Sequence, residues 1–367
     1  MNKELENLLN LAELGDSEAL SRLGEYYLDN SNELNYVEYY EKAIEYFKKS
    51  ASLGNSNGLY NLGLCYENGI GTKKDFNRAL AYFLEAANNI QSDYPKIQNK
   101  IASCYANRGE FKQAIEWYTK GAENRDIDSL NALGYIYLNG CGVKKNIEKA
   151  IQYLIQSVSQ EDPYSMNLLG SIYSDEESEY FNPQKAFLLY TEAADLGFPY
   201  AMLNVSEAYL EGNGCEVNIS KGIKYLLDTI DVWGEGDSIG PYPTEWQIDA
   251  HERLSNLLQN ELFLENLKEI ALNENRVAQY YMFMFLNDTL LLGSHDFNNI
   301  SIQRENLKWL IKSADNGFPQ AQNELGQCYN LGIGGCEKNI QKAMKYLSAA
   351  ANQGHSGAIF YLQSLGR

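Results

Sequence analysis

The chain has 367 residues, with 49 acidic and 30 basic side chains and a net charge of −19. This charge disfavours nucleic acid and anionic membrane surfaces as partners, because neutralising phosphates requires clustered lysine and arginine. It favours a protein partner with a basic surface, although a high net charge can also serve solubility alone. The hydrophobic content of 44% is typical of a folded protein, and no stretch is apolar enough for a membrane helix.

From the N-terminal end onward, the motif Leu-Gly-x-x-Tyr recurs along the chain. Its copies begin at Leu23, Leu62, Leu133, Leu169 and Leu325. Weaker copies keep the tyrosine at Tyr105 and Tyr209, and successive tyrosines from Tyr27 to Tyr209 lie 32 to 39 residues apart. A period of this size indicates stacked structural repeats.

A second motif follows each copy of the first. It has an alanine, an aromatic residue three positions later and a small pair that starts seven positions later, as in Ala150, Tyr153 and Ser157. These spacings lie on one face of a helix, so each unit is predicted to be a helix A, a loop and a helix B. Because an interior glycine costs a helix roughly 1 kcal/mol relative to alanine, its recurrence in helix A indicates close helix packing.

The predicted loop between helix A and helix B usually carries Gly-x-Gly, at 69–71, 140–142, 212–214 and 332–334. The third unit instead has a tight turn at 107–110. Together with the two helix motifs, these loops resemble the Sel1-like repeat family, a relative of the tetratricopeptide repeats. The resemblance covers most of residues 1–230 and 303–367.

The resemblance implies an all-α fold, a right-handed α-solenoid of about eight or nine helix-turn-helix repeats with capping half-repeats at its ends. We predict an N-terminal cap helix and six repeats in 1–230, and C-terminal repeats with a cap helix in 303–367. Residues 231–246 are expected to form an irregular loop rich in Trp, Pro and Gly, and 247–302 to form degenerate helical repeats. We expect the solenoid to continue through this middle region; a bend is the alternative.

Few residues could carry catalytic chemistry. The three histidines, His251, His295 and His355, are far apart and form no metal or nucleophile motif. The Gly-x-Gly loops lie between two helices, whereas a phosphate-binding loop joins a strand to a helix. We therefore predict no catalytic residue, cofactor or metal. The alternative is an enzyme with a site in 231–300, whose candidate residues are Trp233, Asp237, His251 and His295.

The six cysteines are not spaced as regular disulfide pairs. Cys65, Cys104 and Cys328 directly precede the repeat tyrosine in helix A, where a small core residue is expected. A reducing compartment fits these positions. Since residues 1–6 are also too charged for a secretory signal, the predicted location is cytoplasmic.

The predicted binding surface is the exposed face of helix A, which in related repeats lines the concave groove. Counting back two, six and nine positions from the repeat tyrosine gives the candidates Tyr60, Leu64, Asn99, Asn131, Tyr135, Tyr164, Asn167, Tyr200, Glu207, Asn323 and Gln327. The same count of six reaches Ser21 and Leu203. Asparagine can pair with an extended peptide backbone, and tyrosine adds apolar area at low entropy cost. Alternatively, these asparagines solvate the face or cap neighbouring helices.

The predicted function is a protein-interaction scaffold or adaptor, without enzymatic activity. Long concave surfaces of stacked repeats suit this role, and the resemblance implies it, because Sel1-like proteins typically act as adaptors. A narrower alternative is a cognate neutraliser of a toxin or effector, such as a bacterial immunity protein. A purely structural or homo-oligomeric role is a further alternative.

Overall fold

The computed structural model describes residues 3–31, 36–89, 95–232, 245–293 and 300–365. Over these ranges the chain forms twenty α-helices and no β-strand. The chain divides into two compact units, Met1–Leu169 and Gly170–Arg367, and each is built from helices that pack in antiparallel pairs. The prediction of an all-α solenoid of helical repeats is therefore confirmed.

In the first unit, helix A and helix B of one repeat pack on each other, as α2 does on α3, α4 on α5, α6 on α7 and α8 on α9. The helices are α1 (Lys3–Glu13), α2 (Ser17–Asp29), α3 (Tyr36–Ser52), α4 (Ser56–Asn68), α5 (Phe76–Asn89), α6 (Pro95–Asn107), α7 (Phe111–Glu123), α8 (Ile127–Asn139) and α9 (Ile147–Val158). The next helix, α10 (Pro163–Ser174), begins in this unit and ends in the second.

In the second unit, the pairs α12 with α13, α16 with α17 and α18 with α19 pack closely. The helices are α11 (Pro183–Asp195), α12 (Pro199–Glu211), α13 (Ile219–Asp231), α14 (Glu245–Leu257), α15 (Glu261–Leu272), α16 (Arg276–Gly293), α17 (Ile300–Asp315), α18 (Pro319–Leu331), α19 (Ile340–Asn352) and α20 (Ser356–Leu365). Helix α13 also contacts α14, α15 and α16, so it lies at the centre of this unit. Residues 233–244 of the predicted irregular loop lie outside the described residues.

The recurring tyrosine of helix A has a consistent environment. In the repeat formed by α8 and α9, the Tyr137 ring stacks on the Tyr153 ring with centroids 5.9 Å apart. The Lys149 ammonium lies 5.0 Å from the Tyr137 ring centroid, and the Asn146 side chain accepts a hydrogen bond from the Lys149 amide to cap α9. Tyr137 thus joins helix A to helix B through stacking and a cation–π contact, and Tyr209 and Tyr329 make the same two kinds of contact with their own helix B.

The glycine of the Leu-Gly-x-x-Tyr motif lies where helix A crosses helix B. A Cβ atom on Gly134 would lie 2.6 Å from Leu154 Cδ2, and one on Gly63 would lie 2.5 Å from the Phe83 ring. Both Leu154 and Phe83 are fully buried. The absence of a side chain in helix A therefore makes room for the largest core residue of helix B.

The Gly-x-Gly loop packs on the preceding repeat. Gly142 has a φ of +67°, and a Cβ atom there would lie 2.3 Å from Phe111 Cβ at the start of α7. Both its left-handed backbone and this close approach require glycine. Cys141 of this loop and Phe111 both line the groove described below.

A partly buried hydrogen bond in the second unit links α16 to α18. The Tyr280 hydroxyl donates to Glu324 Oε2 at 3.0 Å. Burial raises the pKa of the Glu324 carboxyl above its ordinary value of 4.5, and the Tyr280 hydrogen bond opposes that shift. A raised pKa means that the folded state binds the proton more tightly, so the ionised carboxylate costs stability at neutral pH.

We therefore expect Glu324→Gln to raise the free energy of unfolding at pH 7 by on the order of 1 kcal/mol, because the amide keeps the acceptor but carries no charge. The gain should shrink as the pH falls towards 4.5 and vanish below it, where glutamate is protonated in both states. Urea denaturation across this pH range measures the difference. Glu324→Ala, which leaves Tyr280 without its acceptor, should destabilise the protein; a loss of stability in Glu324→Gln at pH 7 would contradict the argument.

Candidate functional site

The predicted helix A positions differ in exposure. Tyr135, Tyr164, Tyr200 and Glu207 are exposed, whereas the remaining candidates are half-buried, namely Tyr60, Leu64, Asn99, Asn131, Asn167, Asn323 and Gln327. The expectation that position six is always exposed is wrong for Ser21 and Leu203, which are buried. Leu203 lies in the hydrophobic core of the second unit, because an apolar side chain at this position gains by turning inward.

Asn131 connects two neighbouring A helices. Its Nδ2 donates to Asp162 Oδ2 at 3.0 Å, and the Ser165 hydroxyl donates to its carbonyl oxygen. Asp162 Oδ2 also accepts the Ser165 amide at 2.7 Å at the beginning of α10. The Asn131 amide is therefore engaged within the protein.

Other polar side chains of the helix A faces are paired in the same manner. Asn61 donates to Glu25 at 2.8 Å and joins α4 to α2. In the second unit, Arg253 donates to Glu207 at 2.9 Å and joins α14 to α12. Side-chain hydrogen bonds thus connect neighbouring helices on these faces. A polar side chain on a helix A face therefore does not by itself indicate a ligand site.

A groove of about 550 Å³ opens on the helix A face of the first unit. We call it the Tyr135 groove. Its lining residues are Ala106, Phe111, Tyr118, Asp128, Asn131, Ala132, Tyr135, Ile136, Cys141, Asp162 and Tyr164. It brings together three residues predicted from the sequence, Asn131, Tyr135 and Tyr164. The other predicted residues lie elsewhere along the helix A faces.

The walls and floor of the Tyr135 groove differ in chemistry. Tyr118 and Ile136 are buried in its floor, while Tyr135 and Tyr164 are 49% and 40% exposed. Burial raises the pKa of Tyr118 to about 12, so this phenol is neutral at physiological pH. The groove thus offers a hydrophobic floor between two accessible aromatic rings, an arrangement common at protein-binding sites.

Carboxylates supply the charge of the Tyr135 groove. Asp128 and Asp162 line it, and none of its described lining residues is lysine, arginine or histidine. Burial raises the pKa of Asp128, and the charges of Asp126 and Asp162 add to that shift. Lys100 and Lys96 oppose it from outside the lining. The groove is therefore a locally negative aromatic surface.

Two lining residues, Asp128 and Asp162, were not predicted, although the sequence contains a signal for each. Asp128 stands nine positions before Tyr137, the same count that identified Tyr164 and Tyr200. Asp162 directly precedes Pro163, and aspartate before a helix-opening proline is a typical N-terminal capping signal.

The second unit contains a smaller groove of about 260 Å³. Tyr190 and Ala208 line it, 72 residues after Tyr118 and Ile136 of the Tyr135 groove. Glu207 occupies the position equivalent to Tyr135, and Arg253 is paired with it. This groove consequently has a paired carboxylate where the first has an exposed tyrosine ring.

Of the four residues named for the alternative enzyme site, only His251 lies among the described residues. Trp233, Asp237 and His295 lie outside the described residues. His251 lines a cavity of about 280 Å³ with Ser255, Leu258, Tyr280, Tyr281, Met284 and Phe285. Its Nδ1 is hydrogen-bonded to the Tyr281 hydroxyl, and burial lowers its pKa below the ordinary value of 6.5. Within the described ranges, no three His, Cys, Asp or Glu side chains are grouped as a metal site would require.

Membrane insertion depends on the length and the apolar character of the helices. None of those in the described parts of the chain combines the length and the apolar character needed to cross a bilayer.

Known proteins provide independent comparisons. The chain is 28% identical over 124 residues to the Activator of C kinase protein 1 of Saccharomyces cerevisiae, covering 30% of this chain and 20% of that protein. It is 31% identical over 107 residues to an uncharacterized protein of Neisseria meningitidis serogroup B, covering 29% of this chain and 22% of the relative. The chain thus spans about a fifth of the length of these curated relatives.

Among solved structures, the fold is similar to a protective antigen of uropathogenic Escherichia coli strains that displays an SLR fold. The TM-score is 0.56 at 22% identity, over 97% of this chain and 81% of the antigen. The sequence profile of the Sel1 repeat matches residues 17–55, 56–89, 108–126, 127–162, 163–198, 199–227 and 319–355. Since these matches cover more than half of the chain, the chain belongs to the Sel1 repeat family.

Proposed function

We propose that this chain is a protein-interaction scaffold that binds a segment of a partner protein in the Tyr135 groove. Sel1 repeat proteins generally mediate protein–protein interaction. The observation that supports this site is the pair of exposed rings, Tyr135 and Tyr164, above an apolar floor. Tyrosine is enriched among the residues that dominate binding energy at interfaces.

The partner presents a basic surface to this groove. The lining carries Asp128 and Asp162 without a basic residue, and the whole chain has a net charge of −19. Opposite charge on the partner accelerates encounter and fixes its orientation, and both effects weaken as salt rises. Binding of this partner should therefore be salt-sensitive, whereas nucleic acid would be repelled.

The tyrosines supply more of the affinity than the asparagines. Because Asn131 is already hydrogen-bonded to Asp162, it shapes the groove and does not grip a peptide backbone. The remaining predicted contacts extend the surface along other helix A faces, at Tyr60, Leu64, Asn99, Asn167, Tyr200, Glu207, Asn323 and Gln327.

The same proposal includes a non-enzymatic role in the cytoplasm. The structure has six free cysteines, and burial raises the pKa of the Cys65 and Cys104 thiols to about 12. Such thiols are unreactive core residues, as expected in a reducing compartment.

A cognate neutraliser of a toxin or effector would use the same groove. The acidity of the chain favours a basic target in this case too. The two roles differ in the number of partners: a neutraliser binds one protein tightly and stoichiometrically, and an adaptor binds several proteins more weakly.

Hydrogen exchange on the complex tests the proposed site. The partner is captured from native lysate at low salt, identified by mass spectrometry and purified. Amide exchange of the intact chain is then compared with and without it. We expect slower exchange in peptides covering Ile127–Asn139 and the start of α10, and recovery of fast exchange at high salt. Protection confined to other helices would place the binding surface elsewhere and overturn the proposal.

A further inference from the structure

The Tyr135 ring has no cation from the described residues over its face, unlike the repeat tyrosines Tyr137 and Tyr173 on the same and the next helix A. Lys149 lies 5.0 Å from the Tyr137 ring centroid, and Lys185 lies 4.1 Å from that of Tyr173. No lysine or arginine in the described parts of the chain lies over Tyr135. The fold thus places cations over tyrosine rings repeatedly, whereas the exposed Tyr135 ring that lines the groove has none.

The Asp128 carboxylate, which lines the same groove, also lacks an ion pair among the described residues. Lys100, a nearby cation, is paired with Glu67 at 2.8 Å. Asp162 is used in capping α10 and in bonding Asn131. Asp128 is exposed, but partial burial and the like charges of Asp126 and Asp162 disfavour its ionised form and raise its pKa. A cation in the groove would relieve this cost.

The position equivalent to Tyr135 in the second unit carries an ion pair. Glu207 replaces Tyr135 there, and the guanidinium of Arg253 lies 2.9 Å from its carboxylate. At this position of the second unit, a cation from the same chain therefore lies on the helix A face.

We propose that the Tyr135 groove seats an arginine or lysine side chain of the partner segment, with its charge between the Tyr135 ring and the Asp128 carboxylate. This inference rests on the proposed function and specifies its chemistry. The aromatic ring attracts the cation through its negative face, and the carboxylate pairs with it inside a groove with a hydrophobic floor. Tyr164 lines the same groove.

The probe is a blocked hexa-arginine peptide, with hexa-citrulline as its neutral isostere, titrated calorimetrically into the intact chain at low and high salt. We expect hexa-arginine to bind and hexa-citrulline to give no measurable heat. Tyr135→Leu and Asp128→Asn should each weaken binding by about threefold to tenfold. Tyr135→Phe keeps the ring face and should change the affinity less than about twofold.

Glu177→Gln is the matched control, because it removes one negative charge from an exposed loop outside the Tyr135 groove. It should leave hexa-arginine affinity within about twofold. Equal losses in Glu177→Gln and Asp128→Asn would reduce the binding to attraction by net charge and overturn the inference, as would unchanged binding in Tyr135→Leu. Melting curves establish that each variant is folded.

The captured partner separates this inference from the proposed function. If removing both tyrosine side chains abolishes partner binding while Asp128→Asn and Tyr135→Leu leave hexa-arginine binding intact, the groove binds the partner without a cationic side chain. If the partner binds the variant that lacks both tyrosine side chains with native affinity, the groove itself is the wrong site.

Discussion

Gly214→Ala is expected to lower the free energy of unfolding by about 3–4 kcal/mol. Gly214 belongs to the Gly-x-Gly loop between α12 and α13, and its φ is +77°. A Cβ atom there would lie 2.0 Å from the Pro183 carbonyl oxygen and 2.9 Å from the Gln184 amide nitrogen. Because both atoms belong to the backbone at the start of α11, no side-chain rotation can relieve the clash, and the helix or the loop must move.

Gly197→Ala is the control for this substitution. Gly197 has a similar φ of +83°, but a Cβ atom there would meet nothing within 4 Å. It should therefore show only the cost of a left-handed alanine, about 1 kcal/mol. Urea denaturation with unchanged m-values measures both losses. Equal losses in the two variants would mean that the loop requires glycine for its backbone angle alone.

The repeated glycine motifs also explain why the fold could be predicted from the sequence. The Leu-Gly-x-x-Tyr motif and the Gly-x-Gly loop satisfy contacts within one repeat or with its neighbour, such as Gly134 against Leu154 and Gly142 against Phe111. Each contact recurs with the period of the sequence, so the pattern reveals the packing.

The candidate site could be predicted only in part, because it depends on side chains that break the period. Counting positions identified Tyr135 and Tyr164, which line the groove, but it also selected Leu203, which is buried. The role of Asn131 depends on Asp162, a partner 31 residues away whose side chain approaches only after α8 and α10 have packed. Periodicity specifies which face a residue occupies, and it does not specify which neighbour satisfies a polar group.

The second large effect is expected in the Tyr135 groove. Replacing both Tyr135 and Tyr164 with alanine should weaken binding of the captured partner by about a hundredfold, since each interface tyrosine of this kind contributes roughly 1–2 kcal/mol. The loss should appear mainly as faster dissociation, because the acidic residues that steer association remain. Stability should change by less than about 1 kcal/mol, as both rings are 40% exposed or more in the folded protein.

The matched control replaces Tyr36 and Ile155 with alanine. These side chains are 51% and 48% exposed, and they lie on helices α3 and α9, outside the groove. The control removes a comparable exposed apolar area, so it tests whether any accessible hydrophobic surface would serve. Calorimetry with the purified partner should show native affinity for the control and a large loss for the groove variant. Equal losses would indicate a diffuse hydrophobic surface, and native affinity in both would exclude the Tyr135 groove as the binding site. A loss confined to the groove variant would assign the affinity to two aromatic side chains.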